Sequence, residues 1–192
     1  MKTLHVEIEG VAPILLHSGR TKDPTDEMTK AIKKITGKRK KTDADYEEVK
    51  RLELMAGLYF DDKDKIYVPD INIERSIYEG SKQDRNGKKF LSGFMVDQHA
   101  YLKNGKSVYT VTDVMNNLKH QFTTSVAIQR VSVMRTRPRF DVWSLEFSCT
   151  YNEGIINPDE VKEAIKKAGQ LVGIGDWRPK FGRFKVLSIE DI

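Results

Sequence analysis

Three arginines at alternating positions are the residues whose type and spacing point most directly to chemistry. Arg135, Arg137 and Arg139 would project from one side of a strand, because successive side chains in a strand point to opposite faces. Three guanidinium groups in a row are difficult to bury without carboxylates, so the pattern favours an anion-binding surface. The alternative is a rim of surface salt bridges with Glu146 or Asp141.

A glycine-rich segment, residues 169–186, carries a second group of cations. Glycine adopts positive φ without strain and lets another backbone come close, so the segment predicts exposed N–H groups beside basic side chains. That combination suits a phosphate chain, and the residues assigned to it are Gly173, Gly175, Arg178, Lys180 and Arg183. The alternative is a tight turn between a helix and a strand.

Aromatic side chains lie among these cations. Trp177 would stack on a nucleobase, and Phe181 and Phe140 are further candidates. Aromatic residues in such positions are more commonly packed into the protein, which is the alternative for all three.

A one-sided run of positive charge precedes both groups. Between residues 30 and 41 the chain has seven cations and no acid. Such a run is either a solvated surface or a site that attracts polyanions. The residues assigned to a nucleic acid are Lys38, Arg39, Lys40 and Lys41.

Catalytic motifs are scarce, and no catalytic residue is assigned. The sequence has no metalloprotease motif, phosphate-binding loop or dinucleotide fingerprint. His17, beside Ser18, is a candidate general base for RNA cleavage or a structural histidine. Asp23 is read first as a helix cap, with Asp26 in the same loop. The four histidines lack ligand spacing, so no metal and no cofactor are predicted.

The composition indicates one highly charged globular domain. The chain has 192 residues, of which 39% are hydrophobic and 32% charged, with a net charge of +5. It contains a single cysteine and shows neither an apolar span nor a signal-peptide pattern. We therefore expect a cytoplasmic, soluble protein without disulfides.

Apolar periodicity predicts the order of the elements. Residues 4–9 alternate like a strand, and a charged region at about 22–57 predicts two helices, the second starting at Thr42. A short strand at 66–69 precedes a helix capped by Asp70. Weak strands at 94–102 and 107–111 meet at Asn104-Gly105, a hairpin signal.

The second half of the chain has stronger signals. Residues 126–136 and 142–151 predict a long hairpin with its turn at 137–141. Asn157 and Pro158 mark the start of a helix, and residues 184–189 predict a closing strand. This order predicts an α+β, ferredoxin-like (RRM-like) antiparallel sheet with helices on one face, a helical insertion after the first strand, and the other face open to a ligand or partner.

Three segments resemble one family when taken in their order along the chain. They are residues 13–19 (PILLHSG), 67–77 (YVPDINIERSI) and 173–184 (GIGDWRPKFGRF). Together they resemble the RAMP superfamily, the ferredoxin-like RNA-binding proteins of CRISPR systems. Asp70 replaces the glycine that the family usually has, and Phe181 precedes Gly182, both departures from its pattern.

The resemblance implies the part played by each segment. It is closest to the effector-backbone subunits of antiviral defence, which polymerise along a guide RNA. Those subunits hold a few nucleotides with a sheet face, a thumb hairpin and the glycine-rich loop. It implies a thumb here at about residues 94–125 or at the Arg137 turn. Some such subunits cleave RNA with an aspartate after the first strand, for which Asp23 or Asp26 would be the candidate.

The function predicted from these observations is binding rather than catalysis. We expect a non-catalytic protein that binds single-stranded nucleic acid, with RNA favoured, and that oligomerises along the strand or with other subunits. A virus-borne or stand-alone relative would have the same features. The alternatives are a metal-independent endoribonuclease that uses His17, and a viral inhibitor that mimics this fold.

Overall fold

The computed structural model describes residues 1–128 and 131–192 and has an α+β fold with antiparallel sheets. The strands are β1 (Lys2–Gly10), β2 (Ile14–Leu15), β3 (Tyr67–Val68), β4 (Phe94–Val96), β5 (Ala100–Tyr101), β6 (Lys103–Asn104), β7 (Ser107–Val108), β8 (Gln121–Ile128), β9 (Val131–Phe140), β10 (Ser144–Tyr151) and β11 (Phe184–Asp191). The helices are α1 (Glu27–Thr36), α2 (Asp43–Ala56), α3 (Asp70–Ser81), α4 (Gly87–Gly93), α5 (Val111–Met115) and α6 (Pro158–Lys167).

The main sheet has β1 and β10 at its centre. The strand order is β11, β1, β10 and then β4, and every neighbouring pair is antiparallel. The hairpin of β6 and β7 joins β10 farther along the same edge. Buried side chains of one sheet face form a single core with those of α3 and α6, so these helices cover that face.

Local sequence signals account for the elements of this core. The predicted strand at 142–151 is confirmed as β10, and the alternate side chains Trp143, Leu145, Phe147, Cys149 and Tyr151 are all buried. Helix α6 starts after Asn157 with Pro158 at its first position, as predicted, and Asn157 N–H donates to the Glu160 carboxylate at 2.9 Å. The predicted strands β1 and β11 are likewise confirmed, and Ile73 and Ile77 of α3 are buried.

The two helices of the charged region are present, with corrected boundaries. Helix α1 is capped by Asp26, whose side chain accepts from the Thr29 N–H at 3.0 Å, so the prediction of Asp23 as the cap is wrong. Asp23 instead closes a turn with Thr25. The Thr42–Asp45 capping box of α2 is confirmed. The Tyr46 side chain of α2 is exposed.

The long hairpin differs from its prediction. Strands β9 and β10 belong to different sheets: β9 pairs with β8 and β2, and β10 with β1, β4 and β6. The segment predicted as a turn, 137–141, is mostly strand, because Pro138 occupies a position opposite Gln121 that the ladder tolerates. The predicted strand at 126–136 includes Gln129 and Arg130, which lie outside the described residues.

Residues 94–125, where the resemblance implies a possible thumb, contain several small elements. β4 joins the main sheet, β5 pairs with β3, and β6 and β7 form the hairpin predicted at Asn104-Gly105. The longest hairpin in the described residues is that of β8 and β9. Every helix in the described residues is too short or too polar to cross a lipid bilayer.

Candidate functional site

His17 lies at the junction of β2, the glycine-rich segment and α2. The backbone around it is held on three sides: Leu16 N–H donates to Pro138 O (3.0 Å), Tyr59 O–H to His17 O (3.1 Å) and Ser18 N–H to Gly57 O (3.0 Å). The imidazole is therefore placed by segments from distant parts of the sequence.

Two adjoining cavities meet at His17, and we call them together the His17 cleft. One, of about 450 Å³, is lined by residues that include Lys33, Glu53, Arg135 and Arg137. The other, of about 140 Å³, is lined by Leu16, Tyr59, Asn72, Arg75, Gly175, Asp176 and Arg178. The His17 cleft thus brings together cations from α1, α3, β9 and the glycine-rich segment.

The imidazole of His17 favours its neutral form. Burial lowers its pKa below the ordinary value, and the neighbouring Arg137 guanidinium lowers it further, while Asp176 acts in the opposite direction. Its Nδ1 is buried and has no hydrogen-bond partner among the described residues. A neutral imidazole with an uncommitted nitrogen is the form that can accept a proton.

The three arginines of β9 share one face, as predicted, and each pairs with a carboxylate. Arg135 lies 2.7 Å from Glu53, Arg137 lies 3.1 Å from Asp176, and Arg139 lies 2.7 Å from Asp141. The pair with Asp141 is the surface salt bridge considered in the sequence; Glu146 pairs with Lys103 instead. Of these three arginines, Arg135 and Arg137 line the His17 cleft and Arg139 does not, within the described residues.

Each of these pairs uses a single guanidinium nitrogen. Arg137 donates through Nε to Asp176 and through one terminal nitrogen to Thr136 O, and Arg135 donates through one terminal nitrogen to Glu53. A guanidinium has five N–H donors, so both side chains keep donors that can bind an anion.

The glycine-rich segment uses its N–H groups within the fold rather than exposing them. Asp176 N–H donates to Leu15 O (2.8 Å), Gly182 N–H to Pro13 O (2.8 Å) and Ile174 N–H to Gly182 O (2.9 Å). The expectation of a row of exposed N–H groups is therefore wrong for these positions. Residues 173–183, in the connection between α6 and β11, therefore pack against β2, and we call them the clasp.

Positive φ and close packing explain the glycines. Gly175 has φ +91°, and a Cβ there would lie 2.4 Å from Leu15 O. Gly173 has φ +80°, and its carbonyl accepts from the Ser76 hydroxyl at 2.7 Å. Gly173 N–H donates to Ala168 O at 2.7 Å and is therefore not free for an anion, whereas Gly175 lines the smaller cavity.

Trp177 is partly exposed and sits in strained backbone. Its φ is +54°, a region that bulky residues avoid. The indole is 38% exposed and meets Phe122 edge-on at 5.9 Å, while Phe181 and Phe140 are buried. Of the three aromatic candidates, Trp177 alone retains a substantial exposed surface. Backbone strain at such a position is often associated with a site.

The remaining predicted cations lie elsewhere. Lys38, Arg39, Lys40 and Lys41 are in the turn between α1 and α2, where Lys38 pairs with Asp45 at 2.6 Å. Arg183 donates to Pro179 O and lines a separate depression beside β11, and Lys180 lies over the Phe181 ring. Within the described residues, none of these six side chains lines the His17 cleft.

The open face of the main sheet is acidic. Glu7 of β1 lies directly opposite Glu146 of β10, and His5 lies opposite Glu190 of β11. Ligand atoms of His5, Glu7 and Glu146 approach within 4.8 Å of one another, and Lys103 Nζ lies 2.6 Å from Glu146. We call this surface the acidic sheet face. The sequence did not predict this cluster because Glu146 is far from His5 and Glu7 along the chain.

Sequence reasoning also missed several residues of the His17 cleft. Arg75 and Asn72 are three positions apart on α3 and so share a helical face, a spacing that could have indicated them. Tyr59 carried no comparable signal. Asp23 and Asp26, the candidate acids, line neither cavity in the described part of the chain.

Comparison of the sequence with models of protein families finds no match, and comparison with curated proteins finds none at a significant level.

Proposed function

We propose that this protein binds single-stranded nucleic acid, with RNA the favoured form, in the His17 cleft. The observation that carries the proposal is the convergence of Arg75, Arg135, Arg137 and Arg178 on two cavities that adjoin at one histidine. Guanidinium groups suit phosphates because their planar donor sets match phosphate oxygens.

The charge of the cleft is partly balanced, which suits reversible binding. Arg75 pairs with Glu79 at 2.7 Å, and Arg135 and Arg137 have their own carboxylates, whereas Arg178 forms no salt bridge in the described part of the chain. Phosphates would exchange with these carboxylates, so affinity depends on salt concentration.

The strand order supports a ferredoxin-like core within this proposal. The elements β1, α3, β4, β10, α6 and β11 follow the order β–α–β–β–α–β, and their strands lie as β11, β1, β10, β4. The resemblance to RAMP proteins is to chains of that fold. On this proposal the protein is a backbone-like subunit, from a CRISPR system or from a viral or stand-alone relative, and several copies bind side by side along a longer strand.

Fluorescence anisotropy with a labelled oligonucleotide, titrated at several salt concentrations, tests the proposal. Replacing Arg178 with Gln should weaken binding and reduce the slope of log affinity against log salt by about one. Arg51→Gln on the exposed surface of α2 is the matched control, and it should leave the slope unchanged. An affinity independent of salt, or equal effects of the two variants, would contradict the proposal.

Self-association along the strand has its own measurement. Gel filtration with and without a long oligonucleotide should give a larger complex whose absorbance ratio reveals several proteins per strand. A complex of one protein per long strand, even with protein in excess, would remove this part of the proposal.

A second function, metal-independent endoribonuclease, is favoured by one observation. His17 has a buried Nδ1 with no hydrogen-bond partner among the described residues, and its pKa is lowered by burial and by Arg137, so the imidazole is neutral near pH 7 and able to accept a proton. As a general base it would take the proton of a ribose 2′-hydroxyl, and the neighbouring guanidinium groups would stabilise the charge that forms on phosphate.

Incubation of labelled RNA with the parent and with His17→Ala separates binding from cleavage. The ribonuclease proposal expects products that disappear in His17→Ala while affinity changes little. Identical product patterns for both proteins would remove it, and the binding proposal would stand on the anisotropy measurement.

A further inference from the structure

A row of aromatic side chains leads outward from the His17 cleft. Tyr59 lines the smaller cavity, and its ring lies 6.1 Å from that of Tyr67. The Tyr67 ring lies 4.4 Å from His99, which in turn meets Tyr101 edge-on at 5.3 Å. The four rings therefore follow one another without a break from the cationic cavity to the surface. We call them the aromatic track.

Two rings of the aromatic track, those of Tyr67 and Tyr101, lie on the outer side of a two-stranded ribbon. Strands β3 and β5 pair Tyr67 with Tyr101 and Val68 with Ala100. Val68 and Ala100 are buried in the core, whereas the two tyrosines are half-buried and His99 is exposed. Core packing thus explains the inward pair and leaves the outward rings without a role in the main core.

The chemistry of these rings suits nucleobases. Tyrosine and histidine offer flat faces with polar edges, and base stacking on such side chains is tolerant of sequence. A single strand presents alternating phosphates and bases, so cations followed by rings match its two components. An aliphatic patch would have favoured a protein partner instead, and the outward positions of the β3–β5 pair carry tyrosines.

The charge pattern sets the end of the track. Lys65 Nζ lies 5.5 Å from the Tyr101 ring centre, and the Tyr101 hydroxyl donates to Asp61 at 2.9 Å. Asp61 belongs to a turn that contains Asp62 and Asp64 beside Lys63 and Lys65, and its net negative charge would disfavour further phosphates. The strand would run from the His17 cleft to Tyr101 and then leave the surface.

We propose that Tyr59, Tyr67, His99 and Tyr101 form a stacking track for a few bases of a single strand whose phosphates occupy the His17 cleft. This inference rests on the proposed nucleic-acid binding and adds a sequence-tolerant base subsite to it. It is separate from Trp177, which packs against Phe122.

The test compares a labelled oligouridine with an abasic strand of the same length and the same phosphates. His99→Ala and Tyr67→Leu should each weaken oligouridine binding by roughly 5- to 100-fold, the range for loss of one stacked base. Neither variant should change affinity for the abasic strand or the salt slope, because neither removes a lysine or an arginine. Tyr46→Leu, at an exposed tyrosine of α2, is the control.

The outcomes separate the track from the function beneath it. If the parent binds oligouridine with salt-dependent affinity but both track variants bind as the parent does, the track is overturned and the proposed function remains. If the parent binds neither strand, both are overturned. Because His99 is exposed, His99→Ala should keep the parent's melting temperature, which excludes misfolding as the cause of a loss.

Discussion

The His17 cleft and the acidic sheet face are built on the same molecule with opposite charge. The sheet face is the broad, regular surface on which a ligand was expected, yet Glu7 and Glu146 face each other there and Glu190 stands opposite His5. The cleft is irregular, and guanidinium groups from α3, β9 and the glycine-rich segment converge on it. Position on a fold therefore does not by itself identify a site; the side chains do.

The two regions also differ in how they are held. The register of strand pairing determines which side chains meet on the acidic sheet face, so their positions depend on the neighbouring strands. The cleft depends on long-range contacts between Asp176, Leu15 and Arg137. Damage to one region should therefore leave the other largely intact, which the following variants examine.

The largest effect should come from Gly182→Ala. Gly182 has φ +75°, and a Cβ there would lie 1.7 Å from Ile174 O, so the clasp over β2 cannot close. We expect a loss of about 4 kcal/mol in the free energy of unfolding. Gly19→Ala, where a Cβ meets nothing within 4 Å, is the control for urea unfolding. Equal stability of the two variants would show that the clasp does not hold the cleft.

Removal of a cleft carboxylate should have an intermediate effect. Glu53 is buried, pairs with Arg135 and accepts from Thr136 N–H at 2.8 Å. Glu53→Ala leaves both donors without their partner and should cost about 2 kcal/mol. Glu47→Ala, which breaks an exposed pair with Lys50 on the same helix, should cost less than about 0.5 kcal/mol in the same unfolding measurement.

A gain is expected at the acidic sheet face. Glu7→Gln removes like-charge repulsion with Glu146 and should stabilise the fold by about 0.5 kcal/mol. It should leave oligonucleotide affinity within about twofold of the parent, since the proposed nucleic-acid site is the His17 cleft. Glu9→Gln, which instead breaks a pair with Lys185, serves as the control. A tenfold rise in affinity for Glu7→Gln would place the nucleic acid on the sheet face.

The smallest effect is a pH dependence from His17. Its pKa is lowered by burial and by Arg137 in the folded chain, whereas the unfolded chain titrates near 6.5. Between those values the unfolded chain binds more protons, so the free energy of unfolding falls as pH drops below about 6.5. His17→Gln should lose this dependence in urea unfolding between pH 7.5 and pH 5.5.

Titration of the carboxylates does not contribute between pH 7.5 and pH 5.5. The pKa of Asp45 is lowered from 3.8 by its hydrogen bond from Lys38, so stability from such acids is lost only at lower pH. An unchanged slope in His17→Gln would mean that the imidazole is solvated in the folded protein.

Signals within a few residues predicted the fold better than the site. The helix starts at Thr42 and Asn157 and the strand at 142–151 were predicted from neighbours in sequence, and each is confirmed. Pro138 misled the interpretation because proline marks turns more often than strands. The hairpin was therefore predicted between β9 and β10, whereas it is formed by β8 and β9.

The arrangement of the cleft was beyond such signals. Arg135 meets Glu53 across 82 residues of chain, and Arg137 meets Asp176 across 39. Sequence correctly identified arginines on one face of a strand, yet nothing local indicates which acids or which cavity they will meet. The unpaired Nδ1 of His17 likewise depends on packing from several segments.

The clasp between residues 173–183 and β2 has a consequence for biosynthesis. The segment that completes the wall beside His17 emerges from the ribosome more than 150 residues after β2. A growing chain would therefore contain arginine-bearing strands without a finished cleft until residues 173–183 have been made, and the proposed binding of RNA would be deferred until then.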